Sequence, residues 1–211
     1  MAIDPVVLDL VASCLEYPDP GTAARARAAA SGLASSEAEL TSALFALAVF
    51  LERSEPGEAE ERYTGLFDMN PVCTLHVGYH VFGDTYPRGE FLAALAAELR
   101  QAGIDTNGDL PDYLPTVLRL LARLERDEDR RALRELALLP SLSRMSASLA
   151  QSKDCWSSLV RALGAALPEA GDVPVEPRVA ADACSSFVAS AGGPAVPAGC
   201  SAAGPQPPPS W

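Results

Sequence analysis

The sequence predicts a single all-α domain at about residues 1–167, followed by a flexible tail at 168–211. Apolar residues make up 48% of the chain, and most of them are Ala and Leu, a composition that favours helix over strand. Over most of the first part they recur at spacings of three and four, as on the buried face of a helix. From Pro168 onward Pro, Ala, Gly and Ser dominate, and such a segment buries too little apolar surface to offset its ordering entropy. We therefore expect a bundle-like domain of about eight to ten helices.

The N-terminal part predicts three helices. The first begins at Asp4-Pro5, where an N-cap acceptor precedes a Pro at the first helical position, and it ends at Tyr17-Pro18 because the residue before Pro avoids the α region. The second is Ala-rich and runs from Asp19-Pro20 to about Gly32. The third begins at a predicted capping box formed by Ser36 and Glu39. Its apolar face consists of Leu40, Leu44, Leu47 and Leu51.

The middle of the chain predicts three further helices and one mixed segment. Pro56-Gly57 interrupts the chain before a helix at about 58–67 that begins with acids, which suit a helix N-terminus. Residues 68–86 fit a short helix or a short strand, and the helical context favours the helix. The next helix spans 88–101, with Gly103 as its C-terminal stop. Asp112 is the predicted N-cap of the helix after that.

The C-terminal part predicts a helix opened by the acids at 127–129, which Pro140 separates from a segment containing Leu142 and Met145. A last helix covers about 154–167. In the tail a short helix near 180–188 is possible.

Composition and charge exclude several classes of function. No apolar run approaches the roughly 18–20 residues of a membrane helix, and an acid at Asp4 without a basic segment is unlike a secretory signal. We therefore expect a cytoplasmic protein with no membrane insertion. The formal net charge of −12 disfavours nucleic acid and attracts a basic ligand. The five cysteines are widely spaced without a C-x-x-C pair, so we expect reduced, structural thiols.

Two histidines four residues apart, His76 and His80, raise the possibility of a metal site or an enzyme. On a helix they would share a face, as metal ligands can. However, no Glu lies between them, and a third ligand would have to come from Asp68, Cys73 or Asp84. Cys73 and His76 are the only local pair of nucleophile and base, and the sequence has no nucleophile elbow or phosphate-binding loop. We expect no catalysis, no bound metal and no cofactor.

An ordered set of short motifs over residues 62–124 resembles the NarJ-type delta subunits of nitrate reductase, and more loosely the TorD/DmsD chaperones. The start of the chain adds a weaker match at 13–19, and the resemblance covers about 3–167 without the tail. The matching features are Tyr63, Phe67-Asp68, Thr74-Leu75, His80, Gly83-Asp84, Arg88-Gly89, Ala102-Gly103 and the Leu-Pro-Asp-x-Leu-Pro run at 110–115.

The resemblance implies a cytoplasmic chaperone that binds the N-terminal region of a molybdopterin-dependent oxidoreductase's catalytic subunit and assists cofactor insertion. It also implies that the loops around 68–88 and 104–112 lie together, so that carboxylates there meet a basic peptide. A monomer or weak dimer is expected. The candidate client-binding residues are Tyr63, Phe67, Asp68, His76, His80, Asp84, Arg88, Asp112 and Tyr113.

Several alternatives remain open at this point. Tyr63 and Phe67 could be ordinary core residues, and Arg88 could pair with Asp84 or Asp112 to hold a loop in place. For the whole protein, the alternatives are a helical scaffold or adaptor without a molybdoenzyme client, and a metal-dependent enzyme that uses His76 and His80.

Overall fold

The computed structural model describes residues 3–69 and 73–167, and these ranges are helical apart from loops and one isolated β-bridge. The all-α prediction is therefore confirmed. The tail predicted at 168–211, with its possible short helix at 180–188, lies outside the described residues. The helices are α1 (Pro5–Cys14), α2 (Thr22–Gly32), α3 (Ala38–Arg53), α4 (Glu58–Phe67), α5 (Val77–Phe82), α6 (Tyr86–Gln101), α7 (Leu114–Arg123), α8 (Asp127–Leu133), α9 (Leu139–Ser148) and α10 (Cys155–Ala166).

Local signals set several helix ends as predicted. The Asp4 carboxylate accepts a hydrogen bond from the Val6 amide at 2.8 Å, which satisfies one of the free donors at the start of α1. Gly57 has φ +89° before α4, and Gly103 has φ +65° after α6. Both are left-handed conformations that glycine adopts without a Cβ clash.

Two predicted N-terminal signals are wrong. Ser36 lies in a short 3₁₀ segment, Ser35–Glu37, and its hydroxyl donates to the Glu37 carboxylate at 2.7 Å. No side chain caps α3, because this 3₁₀ turn leads directly into the helix and replaces the predicted capping box. Asp112 does not cap α7, which begins at Leu114 with Tyr113 in the N-cap position. The Asp112 carboxylate instead bonds to distant side chains.

Pro140 also behaves differently from the prediction, because it does not separate two helices. A π-helical stretch, Arg134–Leu138, connects α8 to α9 without a break. At its end the Leu139 amide donates to the Arg134 carbonyl, five residues earlier. A proline lacks an amide hydrogen and crowds the carbonyl four residues before it. A wider turn immediately before Pro140 relieves that conflict, so the chain stays helical.

The helices pack around one apolar core. α3 packs against α2 and α10, α1 packs against α2 and α7, and α9 packs against α10 and α5. Trp156 of α10 is fully buried and meets Phe50 of α3 edge-to-face, with ring centroids 5.9 Å apart. Arg119 of α7 binds the carboxylates of Asp9 and Glu16 at the α1 end of the molecule. The Arg119 contacts hold α7 alongside α1.

No helix in the described ranges is both long and apolar enough to span a bilayer.

Candidate functional site

The candidate site lies where two loops cross at the start of α7. His76 and Tyr113 form an antiparallel bridge. On one side of it the Val77 amide donates to the Asp112 carbonyl at 2.8 Å, and on the other the Leu114 amide donates to the Leu75 carbonyl at 2.8 Å. The loop before α5 and the loop before α7 therefore lie together, as the resemblance implied.

A buried ion-pair network joins three of the predicted residues at this crossing. The Asp112 side chain has no exposed surface. One of its oxygens accepts two hydrogen bonds from the Arg88 guanidinium, at 3.0 and 3.1 Å. The other oxygen shares a hydrogen bond with His76 Nδ1 at 3.0 Å. The predicted pairing of Arg88 with Asp112 is thus present, and it ties α6 to the start of α7.

The partners of Asp112 determine its charge. Burial alone would raise the pKa of this carboxyl, but the hydrogen bonds and charges of His76 and Arg88 hold the pKa below its ordinary value. Asp112 is therefore ionised at neutral pH and has no oxygen facing solvent. In this conformation both Asp112 oxygens are occupied by Arg88 and His76.

Gly78 makes the network possible, and sequence reasoning did not single it out. A Cβ at this position would lie 2.8 Å from an Asp112 carboxylate oxygen and 3.0 Å from the Phe91 ring. Both distances are too short, so only glycine lets α5 approach the ion pair and α6 this closely. A glycine inside a helix was the available signal, since glycine at such a position costs stability unless close packing requires it.

A cleft of about 500 Å³ opens beside the network. It is lined by Cys73, Thr74, His76, Tyr79, His80, Arg88 and Ser148. The Tyr79 ring is 48% exposed, and the Arg88 guanidinium lies 5.8 Å from its centroid. The cleft therefore combines an exposed aromatic surface with charged and hydrogen-bonding groups, a combination typical of a recognition site.

His80 and Cys73 form the back of the cleft. His80 Nε2 lies 2.8 Å from the Thr74 carbonyl, so this nitrogen carries the hydrogen and donates. Burial lowers the pKa of His80 below its ordinary value. Burial also raises the pKa of the Cys73 thiol to about 11, with its sulfur 3.9 Å from His80 Nε2. At neutral pH both groups are uncharged.

Tyr63, Tyr113 and Trp156 form a second cluster that closes the end of α1. The Tyr63 hydroxyl donates to the Leu15 carbonyl at 2.8 Å and lies 2.9 Å from the Tyr113 hydroxyl. The Trp156 indole donates to the Cys14 carbonyl at 3.0 Å. These side chains satisfy carbonyls that a helix C-terminus leaves without partners. The sequence gives no local signal for such bonds, since their members are far apart in the chain.

The remaining predicted residues divide into buried and exposed ones. The side chains of Tyr63 and Phe67 are 3% and 5% exposed, with ring centroids 5.0 Å apart, so they pack in the core as the alternative allowed. Asp68 and Asp84 are exposed. The structure brings His76, His80, Arg88, Asp112 and Tyr113 together, and the client-binding role of all nine residues stays a prediction.

The described part of the chain contains no group of three or more His, Cys, Asp or Glu side chains that could hold a metal ion. One nitrogen of each histidine is already used, by Asp112 for His76 and by Thr74 for His80. Cys14, Cys73 and Cys155 are free thiols, and the other two cysteines lie outside the described residues.

Comparison with known proteins adds independent information about the family. A family model described as nitrate reductase delta subunit matches residues 33–157, which contain the loop crossing and the cleft. The chain is 31% identical over 158 residues to the nitrate reductase molybdenum cofactor assembly chaperone NarJ of Escherichia coli K12. This match covers 73% of the present chain and 66% of the relative, slightly less than two thirds of its length.

Two more distant relatives agree with this result. The probable nitrate reductase molybdenum cofactor assembly chaperone NarJ of Bacillus subtilis is 29% identical over 112 residues, 53% of this chain and 60% of the relative. The nitrate reductase-like protein NarX of Mycobacterium tuberculosis H37Rv is 36% identical over 84 residues, which are 39% of this chain and 13% of that protein. On the extent of the family match, this chain belongs to the nitrate reductase delta subunit family.

Proposed function

We propose that this protein is a dedicated assembly chaperone for a molybdenum-dependent oxidoreductase of the nitrate reductase type. In this proposal it acts in the cytoplasm, where it binds the N-terminal region of the catalytic subunit. It holds the apoenzyme ready for cofactor insertion and leaves before the enzyme docks at a membrane or is exported. Family membership supports the proposal, as do the names of the Escherichia coli and Bacillus subtilis relatives, both described as molybdenum cofactor assembly chaperones.

The chemistry of the cleft favours binding over catalysis. A cysteine acts as a nucleophile in its thiolate form, and a thiol with a pKa of about 11 is protonated at neutral pH. The neutral His80 donates to a carbonyl, and Asp112 is occupied on both oxygens by Arg88 and His76. Hydrogen bonds therefore hold these groups in place. They give the cleft a fixed shape and polarity, as a recognition surface requires.

The cleft is the main support for the proposed location of client binding. A client segment would place an apolar side chain on the exposed Tyr79 ring and hydrogen-bond to the polar groups around it. Asp68 and Asp84 are exposed carboxylates near the cleft in sequence, and they would meet Lys or Arg residues of the segment. Apolar burial would supply most of the free energy, at about 25 cal/mol per Å² before ordering costs. Charge would mainly set the association rate and the choice of partner.

Calorimetry with a peptide from the N-terminus of the catalytic subunit tests this proposal. We expect a dissociation constant of about 1 μM or tighter, which weakens without vanishing as salt rises above roughly 0.15 M. Tyr79→Ala should weaken binding roughly tenfold because it removes the exposed ring of the cleft.

The matched control is Tyr86→Ala, since Tyr86 is 81% exposed and does not line the cleft. Equal affinities for the two variants would place the binding surface elsewhere on the molecule. Failure of the folded wild-type protein to bind any segment of the catalytic subunit, at any salt concentration, would favour the scaffold or adaptor alternative.

A further inference from the structure

A second concave surface lies on the side of the molecule formed by α3 and α4. This groove, here called the α3–α4 groove, has a volume of about 660 Å³. The residues used in the argument are Phe45, Val49, Phe50, Arg53, Glu58 and Arg62. Phe45 is 39% exposed, a large apolar side chain on the outer side of α3. Arg62 closes one wall, with its guanidinium 4.8 Å from the Phe50 ring and 3.0 Å from Glu58.

The chain itself contains a segment whose sequence fits this groove. Residues 178–191 read RVAADACSSFVASA, preceded by Pro177 and followed by Gly192-Gly193-Pro194. These flanking residues are typical start and stop signals for a helix. Apolar side chains recur at spacings of one, three and four, and they define one face of a helix. This face consists of Val179, Ala180, Ala183, Cys184, Phe187, Val188 and Ala191.

Length and tethering favour this segment over a separate partner. Fourteen helical residues span about 21 Å, close to the roughly 24 Å of α3. The segment follows α10, which packs against α3; Trp156 in the first turn of α10 meets Phe50, and the chain leaves α10 at the other end, after Ala166. The connection 168–177 contains ten residues and can extend to about 33 Å, enough to pass around a helix that is about 10–12 Å wide. A tether of this kind gives an effective concentration in the millimolar range, so even weak docking would be well populated.

Charge is compatible with the same occupant. The groove carries charges of both signs, Arg53 and Glu58, and the segment carries one of each, Arg178 and Asp182. The full stretch 168–211 contains four acids, Glu169, Asp172, Glu176 and Asp182, and one base, Arg178. We infer that residues 178–191 dock as an amphipathic helix in the α3–α4 groove of their own chain, with Phe187 as the main anchor beside Phe45.

The cysteines of the full-length chain provide the test. Cys184 lies on the predicted docking face, whereas Cys200 lies beyond the Gly-Gly-Pro stop and serves as an internal reference. Time-resolved alkylation with iodoacetamide, read by peptide mass spectrometry, should show Cys184 reacting at least about tenfold more slowly than Cys200 because the docked face is protected. The protection should not depend on protein concentration, since docking is intramolecular.

Two variants test the contact, one in the groove and one in the segment. Phe45→Asp in the groove and Phe187→Ser in the segment should each raise the Cys184 rate towards that of Cys200. Phe187→Ser changes no residue of the helical domain described here, so it cannot act by removing a core contact there. Tyr86→Asp is the control on an exposed position outside the groove and should change nothing. The rate at the fully buried Cys14 reports whether each variant remains folded.

The inference is overturned if wild-type Cys184 reacts as fast as Cys200, or if neither Phe45→Asp nor Phe187→Ser accelerates it. Protection that increases with protein concentration would instead place the segment in the groove of a second copy. Protection that appears only when the catalytic subunit is added would assign the segment to a client contact.

Discussion

Asp112 and Tyr113 are neighbours in sequence, yet their side chains enter regions of opposite physical character. Asp112 is fully buried and held by the charged Arg88 and by His76. Tyr113 bonds to the Tyr63 hydroxyl in a region of aromatic rings and backbone carbonyls. The pKa of Tyr113 is raised to about 12, mainly by burial, so this hydroxyl stays protonated throughout the physiological range.

The difference shows two ways of holding the same loop in place. In the aromatic region the stabilisation comes from buried apolar area, and a substitution costs stability according to the volume it removes. In the charged region the pair itself contributes little net stability, but removing one partner leaves a buried charge without compensation. The loop before α7 thus depends on packing on one side and on charge balance on the other.

The largest expected effect is in the aromatic region. Trp156→Ala should reduce the free energy of unfolding by about 3–5 kcal/mol, because it empties the volume of a fully buried indole and leaves the Cys14 carbonyl without its donor. Urea unfolding followed by circular dichroism measures the loss. Trp156→Phe keeps most of the volume and should lose clearly less. Similar losses for the two variants would mean that the hydrogen bond, and not packing, dominates here.

The next effect is in the charged region. Asp112→Asn should reduce the free energy of unfolding by about 3 kcal/mol, since Arg88 would remain largely buried without its counter-charge. This differs from the expectation for an exposed acid or a simple helix cap. Asp84→Asn is the control, because Asp84 is exposed and its substitution should cost less than about 0.5 kcal/mol.

A double substitution sharpens the same comparison. The double variant Arg88→Met/Asp112→Leu removes both charges together. Its loss in free energy of unfolding should therefore be smaller than the sum of the losses measured for Arg88→Met alone and for Asp112→Leu alone. Additive losses would show that Arg88 and Asp112 stabilise the loop independently of one another.

A smaller effect is expected for the Tyr63 hydroxyl in the aromatic region. Tyr63→Phe keeps the buried ring and removes the bonds to Leu15 and Tyr113, which should cost about 1 kcal/mol. The Tyr113 hydroxyl is already 3.3 Å from the Leu15 carbonyl and can partly replace the lost donor. Tyr17→Phe is the matched control, since Tyr17 is half exposed. A loss as large as that of Trp156→Ala would contradict this expectation, because the Tyr63 hydroxyl would then contribute as much stability as the whole Trp156 side chain.

The smallest expected effect is a pH dependence that arises from His80 at the back of the cleft. The pKa of His80 is lowered by burial, so the unfolded chain takes up a proton at about pH 6.5, before the folded chain does. The free energy of unfolding should therefore fall as pH drops below about 6.5. His80→Gln should remove this part of the slope. An unchanged slope in the variant would assign the dependence to other groups.

Asp112 contributes in a different pH window. Its pKa is held below the ordinary value, so its stabilising effect is present above about pH 3.9 and is lost as pH falls through the lower folded pKa. The aromatic region should contribute to neither slope. Chemical unfolding between pH 4 and pH 8 therefore measures the His80 contribution, because most of the Asp112 contribution is lost only below this range.

Sequence by itself determined those features that depend on neighbouring residues. The N-cap at Asp4, the break at Gly57 and the stop at Gly103 all follow from backbone conformation or from hydrogen bonds within one turn. The apolar spacing that begins at Leu40 correctly predicted a buried helix face, because a helix repeats every 3.6 residues. Family membership also followed from an ordered run of short motifs.

Tertiary structure decided those features in which a local preference competes with a distant partner. Asp112 has the sequence context of an N-cap, but Arg88 and His76 offer the buried carboxylate stronger, charge-assisted bonds. Pro140 is a helix breaker by local rules, but packing of α9 against α5 and α10 keeps the chain helical through a π-turn. The Leu15 carbonyl finds its donor 48 residues away in Tyr63. No local pattern encodes such a pairing, because it exists only once α1, α4 and α7 have packed together.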